Sequence, residues 1–294
     1  MNEPTHLAFG DESYKDAERF RSVTIVTLTA QMAEAHANMV RQLLQESEIE
    51  EFKWSKLRNA KYRSGAIKLI NWSVEAAFCG QLRIDVLIWD TYDSRHAVQG
   101  RDDIANLQAM YRFLFRNVLQ MRWPKGSTWA LYPDENSALD WSEISHKLDV
   151  FSWEVENPTL FHRLPTLRQV YQLIEIREVD SKDAPLCQLA DLYGGLVVYS
   201  WKHFETYKQW LDSQPNPNPP LIIFDEDPKE PAQFSNSDKA RCFVLNHLDQ
   251  ECKKRSLSVS LHTNRGLRTY DPRKSVNFWP YQSQHPDDKA PVNK

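Results

Sequence analysis

The segment Leu82–Trp89, Leu-Arg-Ile-Asp-Val-Leu-Ile-Trp, is apolar at both parities apart from Arg83 and Asp85. Side chains alternate across a strand, so a segment apolar on both faces must be covered on both. This pattern predicts a buried central strand and restricts the chain to a layered architecture, with helices packed on a sheet. The other segments supply those layers. Leu7–Ser13 and Ser22–Thr29 read as two further strands, expected to be antiparallel, and Thr128–Tyr132 and Gln169–Glu178 as two more. Between them, apolar residues recur at helical spacing over 31–47, from the Lys53–Lys68 region to about Cys79, over 104–122, 139–149, 185–204 and 237–254. Residues 150–168 read as irregular and 256–281 as strand-like and basic.

These elements predict one α/β domain over residues 1–282, with decorations. A proline-, asparagine- and acid-rich stretch within 205–236 reads as a surface insertion, with one short strand at Leu221–Phe224. Residues 237–282 read as a C-terminal helix and extension, and 283–294 as a disordered tail. At 294 residues the chain can bury one large core or two small ones. No apolar run approaches the ~18 residues of a membrane helix. Met1-Asn2-Glu3-Pro4 lacks the basic-then-apolar pattern of a signal peptide, so a cytoplasmic location is expected. Cys79, Cys187, Cys242 and Cys252 form no CxxC pair, which points to reduced, mostly buried thiols. His36 lies on an apolar helix stripe and reads as a packing histidine. A net charge of −4 argues against non-specific coating of nucleic acid, so a polyanion partner would need a local basic patch.

Several apolar strands run into carboxylates. Leu7, Phe9 and Asp11 share one face of the first strand and Glu12 points to the other, so Asp11 emerges beside the core at the strand's end. Ligands of open α/β sheets gather at such ends. Asp134 follows a later strand, Glu51 precedes the basic helix, and Asp191 sits on a late helix with Gln188 one turn before it and Gly194 and Gly195 one turn after. Two glycines weaken a helix by ~1 kcal/mol each relative to alanine, so they suggest close approach to the sheet. Hard divalent cations prefer carboxylates and water, and two such ions ~3.5–4 Å apart need oxygen ligands from several elements. Asp11, Glu51, Asp134 and Asp191 are therefore candidate ligands for Mg²⁺ or Mn²⁺, with Asp90 or Asp93 nearly as good as Asp134. Each acid also has an ordinary alternative: turn chemistry for Asp11-Glu12-Ser13, solvation for Glu51, helix capping for Asp134.

From Lys53 to Lys68 there are six cations and no acid. With Trp54, Tyr62 and Trp72, this run could follow a phosphate backbone, or it could be a solvated helix face over core aromatics. A G-x-S-x-G elbow, a P-loop, a GxGxxG turn and an HExxH pair are all missing, and the chain has only 8 glycines, which disfavours Gly-rich nucleotide-binding folds.

Asp11-Glu12-Ser13 after a first strand, Glu51-Phe52-Lys53-Trp54, Asp134-Glu135 and Gln188-Leu189-Ala190-Asp191, in this order, resemble the family catalogued as domain of unknown function 3800. Arg265-Gly266-Leu267 and Asn277-Phe278-Trp279-Pro280-Tyr281 are also similar to the end of some members. The resemblance covers roughly residues 5–281 and implies a ribonuclease H-like mixed β-sheet flanked by helices, with a metal site at Asp11, Glu51 and Asp191 and a less regular match at Asp134. The expected activity is metal-dependent phosphodiester hydrolysis on nucleic acid, with Lys53 neutralising the scissile phosphate or holding Glu51. The alternative is a catalytically silent binding module of the same fold, for nucleic acid or a protein partner.

Overall fold

In the computed structural model, which describes residues 3–13, 18–92, 102–136, 138–156, 166–214 and 234–282, the central strand expected at Leu82–Trp89 is β3 (Leu82–Asp90). It pairs antiparallel with β2 (Phe20–Thr29), which pairs antiparallel with β1 (His6–Ser13). Beyond β1, β4 (Ser127–Pro133) and β7 (Tyr171–Ile176) continue the sheet in parallel, and β10 (Val276–Pro280) closes the other edge parallel to β3. The order is β10-β3-β2-β1-β4-β7, a six-stranded mixed sheet. The two charges in β3 neutralise each other: Arg83 bridges Asp85 at 3.1 Å and donates to the carbonyls of Arg273 and Lys274, while Asn277 of β10 donates to Asp85. Arg83 and Asp85 share a face because strand side chains repeat every two residues, so the pair costs β3 little of its apolar character.

The strand alternation divides the core in two. On one face Leu7, Phe9, Val26, Leu28, Ile84 and Val86 meet α1 (Ala30–Gln45), α2 (Ala60–Phe78), α5 (Pro185–Lys202) and α7 (Asn236–Lys254). On the other, Ala8, Val23, Ile25 and Leu87 meet α3 (Asp103–Met121) and α4 (Trp141–Phe151). Local chemistry sets the helix starts. Asn59, Asp102, Asp140 and Ser235 each accept a hydrogen bond from a first-turn N–H, and Pro185 opens α5. His36 is buried against Trp72, as a packing histidine. The four cysteines are free and three are buried.

Some local expectations change. The span 150–168, expected to be irregular, contains strands β5 (Trp153–Glu156) and β6 (Thr166–Gln169), which pair with each other; four-residue strands are too short to show a period. The late helix ends at Lys202, and α6 (Phe204–Asp212) follows with Tyr207 and Trp210 buried, so the start of the expected insertion belongs to the core. Residues 237–282 supply α7, the short pair β8 (Val259–Ser260) and β9 (Arg268–Thr269), and edge strand β10, and are thus part of the sheet and its cover. The strand expected at Leu221–Phe224 and the tail 283–294 lie outside the described residues. No described helix is long and apolar enough to cross a membrane.

Candidate functional site

The site is assembled around α5. This helix is buried on every side from Pro185 to Ser200 except at Asp191, which is half-buried. A helix buried all round needs its neighbours close, and Gly194 provides that closeness. Its backbone carbonyl accepts from Ser22 Oγ at 3.2 Å, and a Cβ there would lie 2.9 Å from Thr24 Oγ1 of β2. Gly195 does something different from what the sequence suggests. It faces Trp54, whose ring fills the space of the missing side chain, with a Cβ landing 2.2 Å from the indole.

Gln188 and Asp191, one turn apart, then hold the 51–54 loop by its backbone. Gln188 Oε1 accepts from Phe52 N–H at 2.7 Å and its Nε2 donates to the Ser181 carbonyl at 2.8 Å. Asp191 Oδ2 accepts from Trp54 N–H at 2.6 Å. This clamp brings Glu51 and Lys53 to the ends of β1 and β4. Lys53 Nζ lies 3.3 Å from Asp134 Oδ2 and 3.4 Å from Glu51 Oε1, and donates to Ser181 Oγ at 2.9 Å. Ser181 ties the group together: its N–H donates to Asp134 Oδ1 at 3.0 Å and its hydroxyl to Glu51 Oε1 at 2.9 Å. Asp11 comes from β1 on the α5 face, and its Oδ1 accepts the N–H of Glu12. Glu12 points to the opposite face, where the Tyr111 hydroxyl donates to it and Asn136 Nδ2 donates at 2.5 Å.

The electrostatics follow from crowding acids at a half-buried place. Burial, and then the Asp191, Glu12 and Asp134 carboxylates, raise the Asp11 carboxyl well above the usual range. Burial pushes Asp191 up to about 6, opposed by the Trp54 N–H and Lys53 and reinforced by Asp134 and Glu51. Glu12 is raised by burial, with the Tyr111 and Asn136 hydrogen bonds opposing. Burial alone would lower the Lys53 ammonium, but Asp134, Asp11, Glu51 and Asp191 outweigh it and hold the ammonium above the ordinary lysine range. Negative charge is thus in excess, and Lys53 is the internal cation that holds it.

Asp11, Glu51, Asp134, Asp191 and Lys53 therefore meet in one place. Asp90 does not join them. It receives a forked interaction from Arg19, with Nη2 at 2.7 Å, and accepts the Tyr92 N–H. Asp93 lies outside the described residues. Ser181 was not singled out in the sequence. It lies in the polar turn Asp180-Ser181-Lys182-Asp183 before α5, where only tertiary contact shows that it links two acids. The basic run is largely spent on local acids: Lys61 pairs with Glu48, Lys68 with Glu46, and Lys56 approaches Glu51 at 3.8 Å. A continuous phosphate track on that helix is thereby disfavoured.

Among the described residues, no three His, Cys, Asp or Glu side chains form a ready-made metal cage. The donor chemistry nonetheless fits a hard divalent cation. The acids are oxygen donors, and Asp11 and Asp191 each keep one oxygen that accepts no hydrogen bond among the described residues. Beyond burial, Asp191 and Asp134 help raise Asp11, and Asp134 and Glu51 help raise Asp191, a repulsion that a further cation would relieve.

No family model matches the chain. Two proteins of Methanothermobacter thermautotrophicus are similar to it over nearly their whole lengths. "Uncharacterized protein ORF2'" is 36% identical over 296 residues, covering 97% of this chain and 98% of that protein. "Uncharacterized protein ORF2" is 33% identical over 297 residues, covering 98% of each.

Proposed function

For this chain, which belongs to the family of the Methanothermobacter thermautotrophicus ORF2 and ORF2' proteins, we propose a divalent-metal-dependent phosphodiester hydrolase that acts on nucleic acid. The observation that carries the reading is the convergence of Asp11, Glu51, Asp134 and Asp191 from four separate segments at one end of β1 and β4, around Lys53. Structural turns or caps would not need to be gathered in this way. The strand order β3-β2-β1-β4-β7, antiparallel through β1 and parallel beyond it, supports a ribonuclease H-like core. It is also what the resemblance to domain of unknown function 3800 implies.

Asp11 and Asp191 would hold Mg²⁺ or Mn²⁺, with Glu51 and Asp134 completing the oxygen donors. A metal bound there supplies a Lewis acid that activates water and stabilises the leaving oxygen. The chain's own residues do the rest. Lys53 lowers the repulsion among the carboxylates and holds Glu51 beside Asp134. Ser181 orients Glu51 and Asp134, and Gln188 fixes the loop that carries Glu51 and Lys53. A cytoplasmic location and a nucleic-acid partner belong to the same proposal.

A second reading has one observation in its favour. Lys53 already neutralises part of the acid cluster from within, as it would in a silent binding module of the same fold. Cleavage of single- and double-stranded DNA, RNA and hybrid, with Mg²⁺ or Mn²⁺, separates the two. The nuclease reading expects cleavage that is lost in an identically purified Asp191→Asn protein. Equal cleavage by both proteins, or none by either, would count against it.

A further inference from the structure

Beside the acid cluster, a cleft of about 320 Å³ runs from Glu12, Ser13 and Asp191 to Lys202, His203 and Arg241. Its floor follows α5. Asp191, Val198 and Lys202 line it from one face of that helix, and the Trp54 ring stands over Gly195 between them. At 1.5 Å per residue the stretch from Asp191 to Lys202 is roughly 16 Å long, more than one phosphate needs. The sign of charge changes along it. Asp191 stands at the end where the metal is proposed, and Lys202, His203 and Arg241 at the other, where Glu18 is paired with Lys202.

Arg241 is the informative residue. Its guanidinium lies over the Trp54 ring at 5.3 Å and over Tyr199 at 5.8 Å, and His203 stacks on Tyr199 at 4.8 Å. Its Nε is buried and meets no acceptor, and Arg241 makes no ion pair among the described residues. Lys202, by contrast, is paired with Glu18 at 3.2 Å. The carboxylate of Asp238, on the same helix as Arg241, accepts from the Tyr199 and Ser235 hydroxyls. A buried donor without a partner is costly and is normally satisfied. Here the aromatic walls orient a planar, five-donor cation in a cleft, with no acceptor given to it among the described residues. Trp54 itself is placed by Gly195 on one side and by Asp191 through its N–H, so the acid cluster and Arg241 share one rigid wall.

We infer that this cleft is a phosphate subsite for a nucleic-acid strand, in which Arg241 grips the phosphodiester adjacent to the one presented to Asp11 and Asp191. The inference rests on the hydrolase reading for the identity of the neighbouring site, but its test does not. Lys202 and His203 line the same end, and Ser55, exposed at the rim, offers a further hydroxyl. The occupant is a strand because the cationic end continues into the acid site, which a free phosphate has no need to reach.

The test is fluorescence anisotropy with a labelled single-stranded oligonucleotide, as DNA and as RNA, in chelator so that no cleavage occurs, over a salt series. Arg241→Gln is expected to raise Kd roughly tenfold, as for a lost charge-assisted hydrogen bond. The slope of log K against log salt should flatten by about 0.7, one single-strand phosphate contact. Arg241→Lys should recover the slope but only part of the affinity. Because Arg241 also packs on two rings, Ser55→Asp provides a second arm, since it adds a negative charge at an exposed rim position; it too should weaken binding. Wild-type Kd and slope in both variants would overturn the inference, as would displacement of the strand by inorganic phosphate at equal phosphate concentration. The two readings fail separately. Arg241-dependent binding without metal-dependent cleavage removes the hydrolase and keeps the subsite. Cleavage lost in Asp191→Asn, with Arg241→Gln unchanged in Kd and KM, does the reverse.

Discussion

Asp191→Asn should make the protein more stable at alkaline pH, because the native fold holds this carboxylate against its electrostatic preference. Asp191 is raised from 3.8 to about 6, chiefly by burial. The folded state therefore binds its proton more tightly than the unfolded state does, and protonation favours folding. The penalty is absent below pH 3.8, grows as pH rises, and is fully present above about pH 6. At 1.36 kcal/mol per pH unit the gap corresponds to roughly 3 kcal/mol above neutrality, as an upper figure. The Trp54 N–H and Lys53 both oppose the shift and are already counted in it. Asparagine removes the net penalty, less about 1 kcal/mol for a neutral amide that fits the site imperfectly. The net expectation is a gain of about 1–2 kcal/mol at pH 8, a rise in Tm of roughly 2–6 °C for a chain of this size, and no gain near pH 4. Thermal or urea unfolding of both proteins from pH 4 to pH 9, in chelator, measures it. A variant less stable than wild type at pH 8, by an amount independent of pH, would refute the reasoning. It would mean that Lys53 and the Trp54 N–H more than compensate the burial of this acid.

Two further outcomes follow from the same geometry. Gly195→Ala places a methyl against the Trp54 indole; the ring must move, so a loss of about 1–3 kcal/mol and a shifted tryptophan emission are expected, and unchanged stability and emission would show that the wall is soft. Lys53→Met removes the cation between Glu51 and Asp134; Lys53 is partly exposed, so the loss should be nearer ~1–2 kcal/mol than the 3–5 of a fully buried pair. If the acids hold a divalent ion, Mn²⁺ should raise the Tm of this variant more than that of wild type, and an equal response in differential scanning calorimetry would argue against metal binding at these acids.

Much of the architecture is legible in the sequence because it depends on period alone. The doubly apolar β3, the alternation of β1 that separates Asp11 from Glu12, and the helical stripes of α1, α3 and α7 are properties of consecutive residues. The same holds for the candidate acids at strand ends. Periodicity loses its grip where elements are short, which is why β5 and β6 stood hidden in a stretch read as irregular. It also says nothing about partners. The six cations after Glu51 look like one basic face, yet Lys61 and Lys68 are paired to the acids just before them, and Lys53 turns away into the carboxylates.

The sequence by itself determined the layered α/β plan, the strand ends at which acids stand, and the helix whose glycines require close packing. Only the tertiary structure decided which acids meet. Asp90 ends β3, and Asp11 stands near the end of β1, but Arg19 holds Asp90 elsewhere. Ser181 and Lys53 join Glu51 to Asp134 across 83 positions of chain, through contacts that no local pattern encodes. Gly195 serves Trp54 rather than the sheet, and that indole in turn sets Arg241 in the cleft. The physical reason is range. Hydrophobic periodicity is written residue by residue, whereas charge pairing and steric fit depend on distances of a few ångströms that exist only after the sheet has brought remote segments together.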